Sequence, residues 1–328
     1  MTTIMIRSTK QLLALCATVL FGSAFFGCSS TTAPTTTADA PTNVMVSSRS
    51  SSSIAVKWRR GTTDLSPDTI MATPVTGGTT TGSAMVTLAV SATDTMGVLV
   101  GLADGQLYNI TVNGGGGTSA AITWAPADRL PTSGTWRIYE TADNTPGHFS
   151  GLILSGANAG PASTVGANKA QIDLVLASDV AAGYPFISLA SPDVTSLTGL
   201  TSGKATSLSA SAPYVAGGLD AQWFSQSDIT TGIPTSTRTT VASPDSTNHG
   251  ASMCFNLATG DNPPHYVRVE VIPQPLNNNY LWNVVSSSGT PFRYVDVKVS
   301  YQTVAGVGYA SRGVPMLFSN APRKAATH

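Results

Sequence analysis

The chain has 328 residues, 17 Lys plus Arg against 17 Asp plus Glu, and 10% charged residues, where about 25% is usual for soluble domains. With no cationic surplus to displace counterions from a phosphate backbone, the composition argues against nucleic-acid binding. The chain is 41% apolar, with 31 Gly and 20 Pro; it is not low-complexity, and a packed core in about two domains is expected. Ser, Thr, Asn and Gly must then cover most of the surface.

The first 27 residues read as an export signal. Arg7 and Lys10 supply positive charge, and residues 12–26 are apolar apart from small residues such as Thr18, Gly22 and Ser23. The run is too short for a comfortable transmembrane helix. It ends in Phe25-Phe26-Gly27-Cys28-Ser29, which resembles a bacterial lipoprotein signal, although Phe25 stands where an aliphatic residue is usual. The resemblance implies cleavage before Cys28, acylation of Cys28 and membrane attachment through the lipid. With Ser29 rather than Asp after the Cys, it also implies the outer membrane or cell surface. An ordinary signal cut after Ala24 is the other reading of these residues. Removing residues 1–27 takes two of the 17 bases and no acid, leaving 15 against 17, so the mature protein is slightly acidic.

Cys16 leaves with the signal and Cys28 is the lipidation candidate, so Cys254 has no partner for an internal disulfide. Its neighbours alternate as in a strand, and a buried structural thiol is expected. Residues 28–39 open a Thr-rich stretch with Pro34 and, just beyond, Pro41. Such a segment has little apolar surface to bury, and it reads as a tether.

From Ala40 the pattern turns to short strands. Ile54, Val56 and Trp58 alternate with Ala55 and Lys57, and residues 85–90, 107–112 and 120–124 follow between Gly, Ser, Thr or Asp turns. The residues Ala40-Pro41-Thr42-Asn43-Val44, Ser53-Ile54-Ala55-Val56-Lys57-Trp58 and Leu102-Ala103-Asp104-Gly105-Gln106-Leu107-Tyr108 resemble a fibronectin type III domain over 40–126. The resemblance implies a small β-sandwich with Trp58 in its centre and a tyrosine corner made by Leu102 and Tyr108. It departs from the family at residues 68–74, where the Tyr of the third strand is missing and Pro74 intervenes. It also implies a recognition tip, in which Arg59, Arg60 and Asp64 of one loop stand beside Asn113 and the glycine run 114–117. The bland alternative is a permissive hairpin beside a solvated charge pair.

Residues 127–328 continue with alternating segments, among them 136–140, 151–154, 171–176, 186–189 and 221–224. The clearest period-two runs are 266–271 and 294–301, each with one apolar and one polar or charged face. Eight to ten strands packed as a larger β-sandwich or jelly-roll-like domain are expected. The whole chain is therefore expected to be all-β.

Chemical motifs fail on spacing. Gly199 to Thr206 has three residues between its glycines and Ala205 after Lys204, so it is not a phosphate loop. Gly147-His148-Phe149-Ser150-Gly151 places Ser one position too late for a nucleophile elbow. No histidines lie at metal-ligand spacing, and no metal or cofactor is expected. Asp68-Thr69-Ile70, Asp94-Thr95-Met96 and Asp245-Ser246-Thr247 resemble a bacterial O-glycosylation signal.

The expectation is a non-enzymatic envelope lipoprotein with a role in adhesion or binding, whose partners are the membrane, through lipid, and a glycan or surface-protein ligand. A glycan-binding accessory protein is the alternative, with Trp136, Tyr139 and Trp223 as stacking candidates. A hydrolase in residues 127–328 would need two of acids such as Glu140, Asp173, Asp220 and Glu270 to converge.

Overall fold

Alternation of apolar and polar residues builds nearly every element. In the computed structural model, residues 38–76, 79–80, 85–178, 187–201, 203–209, 214–227, 234–241, 251–275, 280–285 and 291–307 are described. Cys28, the signal, the tether as far as Thr37 and Asp245-Ser246-Thr247 lie outside these residues.

The first module comprises β1 (Thr42–Ser50), β2 (Ser53–Arg59), β3 (Thr69–Thr76), β4 (Thr79–Thr80), β5 (Val86–Ala89), β6 (Met96–Val100), β7 (Leu107–Gly114), β8 (Gly117–Thr118) and β9 (Ile122–Trp124). A β1-β2-β6 sheet faces a second sheet in which β3 and β7 are central, β4 and β5 flank β3, and β8 and β9 flank β7. Three strands thus face a sheet of six, two of them only two residues long, in a fibronectin type III-like sandwich. Val46, Ile54, Val56 and Trp58 from one sheet meet Ile70, Ala72, Tyr108, Ile110 and Val112 from the other. The tyrosine corner is formed: the Ala103 amide donates to the Tyr108 hydroxyl at 2.8 Å, with Leu102 buried alongside. The third strand is intact despite Pro74, and β3 pairs β7 over seven positions, Thr69↔Asn113 to Val75↔Leu107. Pro74 falls between the stretch that pairs β5 and the stretch that pairs β4. A strand tolerates a missing amide donor at such a break.

The chain changes sheet at Ala125 and Pro126. The larger sandwich contains β10 (Ala127–Leu130), β11 (Trp136–Tyr139), β12 (Gly151–Ile153), β13 (Gly160–Ala162), β14 (Leu174–Ser178), β15 (Ile187–Ala190), β16 (Ser207–Leu208), β17 (Tyr214–Val215), β18 (Arg238–Thr240), β19 (Ser252–Ala258), β20 (Tyr266–Val271), β21 (Trp282–Val285) and β22 (Pro291–Gln302). These are thirteen strands among the described residues rather than eight to ten, several of them only two or three residues long. The only helical pieces described are single turns at Lys169–Gln171, Thr195–Thr198 and Gly218–Ala221, and no described helix is long and apolar enough to cross a membrane.

An eight-stranded sheet runs β10-β22-β20-β19-β16, with β11 and β21 also on β22 and β17 on β19; it packs on a five-stranded sheet β13-β12-β14-β15-β18. Phe255, Leu257, Val267, Val269, Val295 and Val297 fill the space opposite Leu152, Leu174, Leu176, Ile187 and Leu189. Most of the polar face of β19, β20 and β22 is covered, Lys298 being the exposed exception. Asn256, Arg268, Glu270, Asp296 and Ser300 are all buried. Residues 221–224, read from the sequence as a strand, instead leave the Gly218–Ala221 turn and bridge to β1 through Val46↔Phe224. Gln222 accepts from Arg268 Nε across the covered face. Gly218 has φ +59°, and a Cβ there would stand 1.8 Å from Glu270 Oε1, so glycine is what lets the turn close onto the sheet.

Candidate functional site

The two-arginine tip is not assembled. Arg59 ends β2 exposed, but the Arg60 guanidinium turns inward, with Nη1 2.9 Å from Asp68 Oδ2 and Nη2 donating to the Ser66 carbonyl. Asp68 is fully buried, and its Oδ2 also accepts from Trp58 Nε1 at 2.6 Å. Asp64 is buried too, accepting from the Ser66 amide at 2.9 Å and the Gly115 amide at 2.8 Å. Those bonds, led by the one from Ser66, hold its carboxyl below the usual carboxylate range against the opposing effect of burial. The glycine run closes a two-residue hairpin between β7 and β8. A Cβ on Gly115 would lie 2.6 Å from Asp64 Oδ1 and one on Gly116 2.2 Å from the Ala38 carbonyl oxygen. Asn113 stays at the surface, its Oδ1 accepting from Thr118 at 3.0 Å. Arg60, Asp64 and the glycines are thus an internal knot between two loops, not a pair of arginines offered to a ligand.

The three glycan-stacking candidates do not form a row. Trp136 packs against the larger core on one face of β11, while Tyr139 lies on the other. Trp223 sits against the first module, with Arg49 5.4 Å and Lys57 5.9 Å from its ring centre, so its faces serve the contact between modules.

The acids weighed for hydrolysis are each engaged separately. Glu140 holds Arg293 through Oε2···Nη2 at 2.8 Å and accepts the Arg293 amide at 2.8 Å. Asp173 meets Lys204 Nζ at 3.0 Å and the Leu154 amide at 2.9 Å; burial nevertheless pushes its carboxyl up. That ion pair also gives Lys204 its place in the fold. Asp220 lies 2.9 Å from Arg49, and Glu270 accepts from Ser252 at 2.6 Å and the Leu219 amide at 3.3 Å. Cys254 is a free, buried thiol, pushed up to about 12 by burial. Among the described residues no three His, Cys, Asp or Glu side chains converge to hold a metal.

What the sequence did not single out is a cavity of about 390 Å³ formed, among the described residues, by Thr141, residues 143–150 and 163–165, and the Thr198–Gly199 end of the helical turn. Its organising pair is Asp143 and His148, with Nδ1 2.6 Å from Oδ2. Asp143 is buried, which alone would raise its carboxyl; the Thr145 hydroxyl and amide and the His148 ring outweigh burial and hold it below the usual range. Tyr139, read as a glycan platform, lies flat on the His148 ring instead, centroids 3.7 Å apart and planes 3° apart. Tyr294 tilts against Tyr139 at 5.5 Å, and Arg137 caps Tyr294 at 4.0 Å while bound to Asp296. The ring of His148 is therefore fixed from its face and from Nδ1. No partner for Nε2 is present among the described residues, nor for the hydroxyl of Ser150, which is 6% exposed and lines the cavity. The offset of five between Asp143 and His148 fits neither strand nor helix spacing, which is why the pair was invisible as a motif.

No protein-family model matches the chain, and no curated protein matches it. Solved structures that resemble it include the FN5 domain of Drosophila Lar, at 23% identity over 27% of this chain and 96% of that one, TM-score 0.24. The chicken CNTN1 FN1-FN3 domains match at 24% identity over 27% of this chain and 33% of that one, TM-score 0.24.

Proposed function

We propose that this chain is an exported, lipid-anchored binding protein of the bacterial cell envelope, without catalytic machinery, that serves adhesion or ligand capture at the outer membrane or cell surface. Cys28 carries the lipid, residues 29–39 give reach, and the two sandwiches form the displayed body. The sequence of the first 28 residues supports the address. The observation that carries the binding role is chemical. The four acids a hydrolase would draw on are each held by a different partner, whereas the cavity beside His148 leaves neutral donors and acceptors open. Binding needs such groups, and the paired carboxylates that glycoside cleavage would need do not converge among these four acids.

Two measurements test this reading. In the native host, labelling with an alkyne-tagged fatty acid should mark the wild-type protein and not Cys28→Ala, with the label in the outer-membrane fraction. A screen of the full mature protein against glycans and matrix proteins should return at least one ligand. Unlabelled wild-type protein in the cytosol, or silence throughout the screen, refutes it.

A further inference from the structure

We infer that the cavity beside His148 is a binding site for a neutral saccharide of one or two rings. The inference rests on the binding reading above in one respect: it takes the cavity to hold its ligand without turning it over. Its volume of about 390 Å³ lies at the small end of ligand sites, which run roughly 300–1,000 Å³.

Charge narrows the ligand class. Among the described lining residues the only ionisable side chains are Asp143 and His148. The Asp143 side chain is fully covered and spends its oxygens on Thr145 and His148, so a cationic ligand meets no open carboxylate. No Lys or Arg stands among the described lining residues, so a phosphate, sulfate or carboxylate ligand meets no fixed cation there.

Hydrogen bonding narrows it further. Because Nδ1 faces Asp143, the proton of the neutral ring sits there and Nε2 is left as an acceptor. The Ser150 hydroxyl can donate and accept, and the Asn144 amide, exposed at the rim, offers both as well. A hydroxyl group is at once donor and acceptor, and a ring of hydroxyls is what satisfies such a mixed, uncharged set. Phe149, 37% exposed and in the lining, supplies an aromatic surface for the C–H face of a sugar. That same surface is too small for a wholly apolar ligand, since among the described residues only Pro146 and Val165 add to it.

The test is calorimetric titration of the full mature protein with glucose, galactose, mannose, N-acetylglucosamine, maltose and cellobiose, alongside glucuronic acid and glucose 6-phosphate. At least one neutral sugar should bind, and the two anions should bind about tenfold more weakly or not at all. Ser150→Ala should weaken binding about tenfold, the equivalent of one hydrogen bond left unmade, with an unchanged melting temperature. Phe149→Ala should weaken it as well. In the wild type, the bound sugar should protect His148 from acylation by diethyl pyrocarbonate, mapped by mass spectrometry, a readout that needs no variant to fold. Absence of binding by every neutral sugar, preference for an anion, or binding without His148 protection overturns the inference and leaves the adhesion screen to judge the binding reading. Release of a cleaved sugar product refutes the non-enzymatic reading while the site assignment stands.

Discussion

Arg60→Ala separates a structural role for the first loop from a ligand-binding one. In the fold its guanidinium lies 2.9 Å from Asp68 Oδ2 and 3.8 Å from Asp64 Oδ2. Asp68 Oδ1 has no hydrogen-bond partner among the described residues, so truncating Arg60 leaves the Asp68 carboxylate buried with Trp58 Nε1 as its one remaining donor. Removing one member of a buried ion pair costs about 3–5 kcal/mol. The Arg60 side chain keeps 12% exposure, which places the expected loss near the lower end, about 3 kcal/mol. With a urea slope of about 3 kcal/mol per molar for a unit of this size, the midpoint should fall by roughly 1 M. Arg59→Ala, at an exposed strand end, should stay within about 0.5 kcal/mol. Arg60→Lys should fall between them, because a single ammonium cannot bridge Asp68 and the Ser66 carbonyl as a guanidinium does. Urea unfolding of the four proteins, followed by tryptophan fluorescence, measures this directly. An Arg60→Ala protein with the wild-type midpoint and lost adhesion would mean that the arginine faces a ligand, and the internal knot described above would be wrong.

Glu140→Ala should cost about 3–5 kcal/mol by stranding Arg293, whereas Glu140→Leu combined with Arg293→Met should recover most of that loss, as read from thermal unfolding of the full chain. A Glu140→Ala protein of wild-type stability would contradict the buried pair. Cys254 should resist iodoacetamide at pH 8 in the folded protein and react at once in urea, since burial holds the thiol up near 12 and shields it; modification of native protein within minutes would refute its burial. The Asp143 carboxyl lies below its ordinary value of 3.8, so its ionised form favours the folded loop. That contribution is whole above about pH 3.8 and is lost as pH falls through the lower folded value. The part of the Thr145 amide movement that belongs to the Asp143 carboxyl should therefore appear only below about pH 4.5. Asp143→Asn should abolish that movement, and a midpoint above pH 4.5 would show that the carboxyl is not held down.

What was legible in the sequence is what period-two alternation and one local motif can encode. Ile54, Val56 and Trp58 announced β2, and Leu102 with Tyr108 announced the corner, because both are patterns of near neighbours. Tertiary events decided the rest. Pro74 argued against a continuous third strand, yet seven pairs with β7 hold that strand through the proline, since the break falls between its two outer neighbours. Arg268 and Glu270 stand on the polar face of a period-two strand, and alternation does not say what covers it; the turn at Gly218–Ala221 and Gln222 do, contacts 46 and 51 residues away in sequence. Trp136, Tyr139 and Trp223 were equivalent as aromatics on apparent strands, and only the fold distributes them to a core, a histidine and a module contact. The cavity was the least legible element. Its lining comes from three separated segments, and its organising pair obeys no strand or helix period.

The contact between the modules bears on whether the two sandwiches can move against each other. Trp124, fully buried, stacks on Phe224 at 5.6 Å and donates to Ser48 Oγ at 2.8 Å. Ser48 Oγ and Gln302 Nε2 both donate to the Ala125 carbonyl at 3.1 Å, and Phe224 exchanges two backbone hydrogen bonds of 2.9 Å with Val46. Ala125 and Pro126, the whole of the connection, are themselves buried. Phe224, Ala258, Tyr266 and Val307 of the larger sandwich belong to the same apolar cluster as Val46 and Trp58 of the smaller one. A hinge needs a few exposed residues that can change φ and ψ without uncovering core, and residues 125–126 have neither the exposure nor the length. The described residues accordingly fall within one compact unit. The cavity beside His148 and the loop knot around Asp68 then keep a constant spacing, with no bending between the sandwiches to change it. The same argument makes the larger sandwich a poor candidate for expression alone, since cutting at Pro126 would bare the Phe224 ring and strip Trp223 of Arg49 and Lys57.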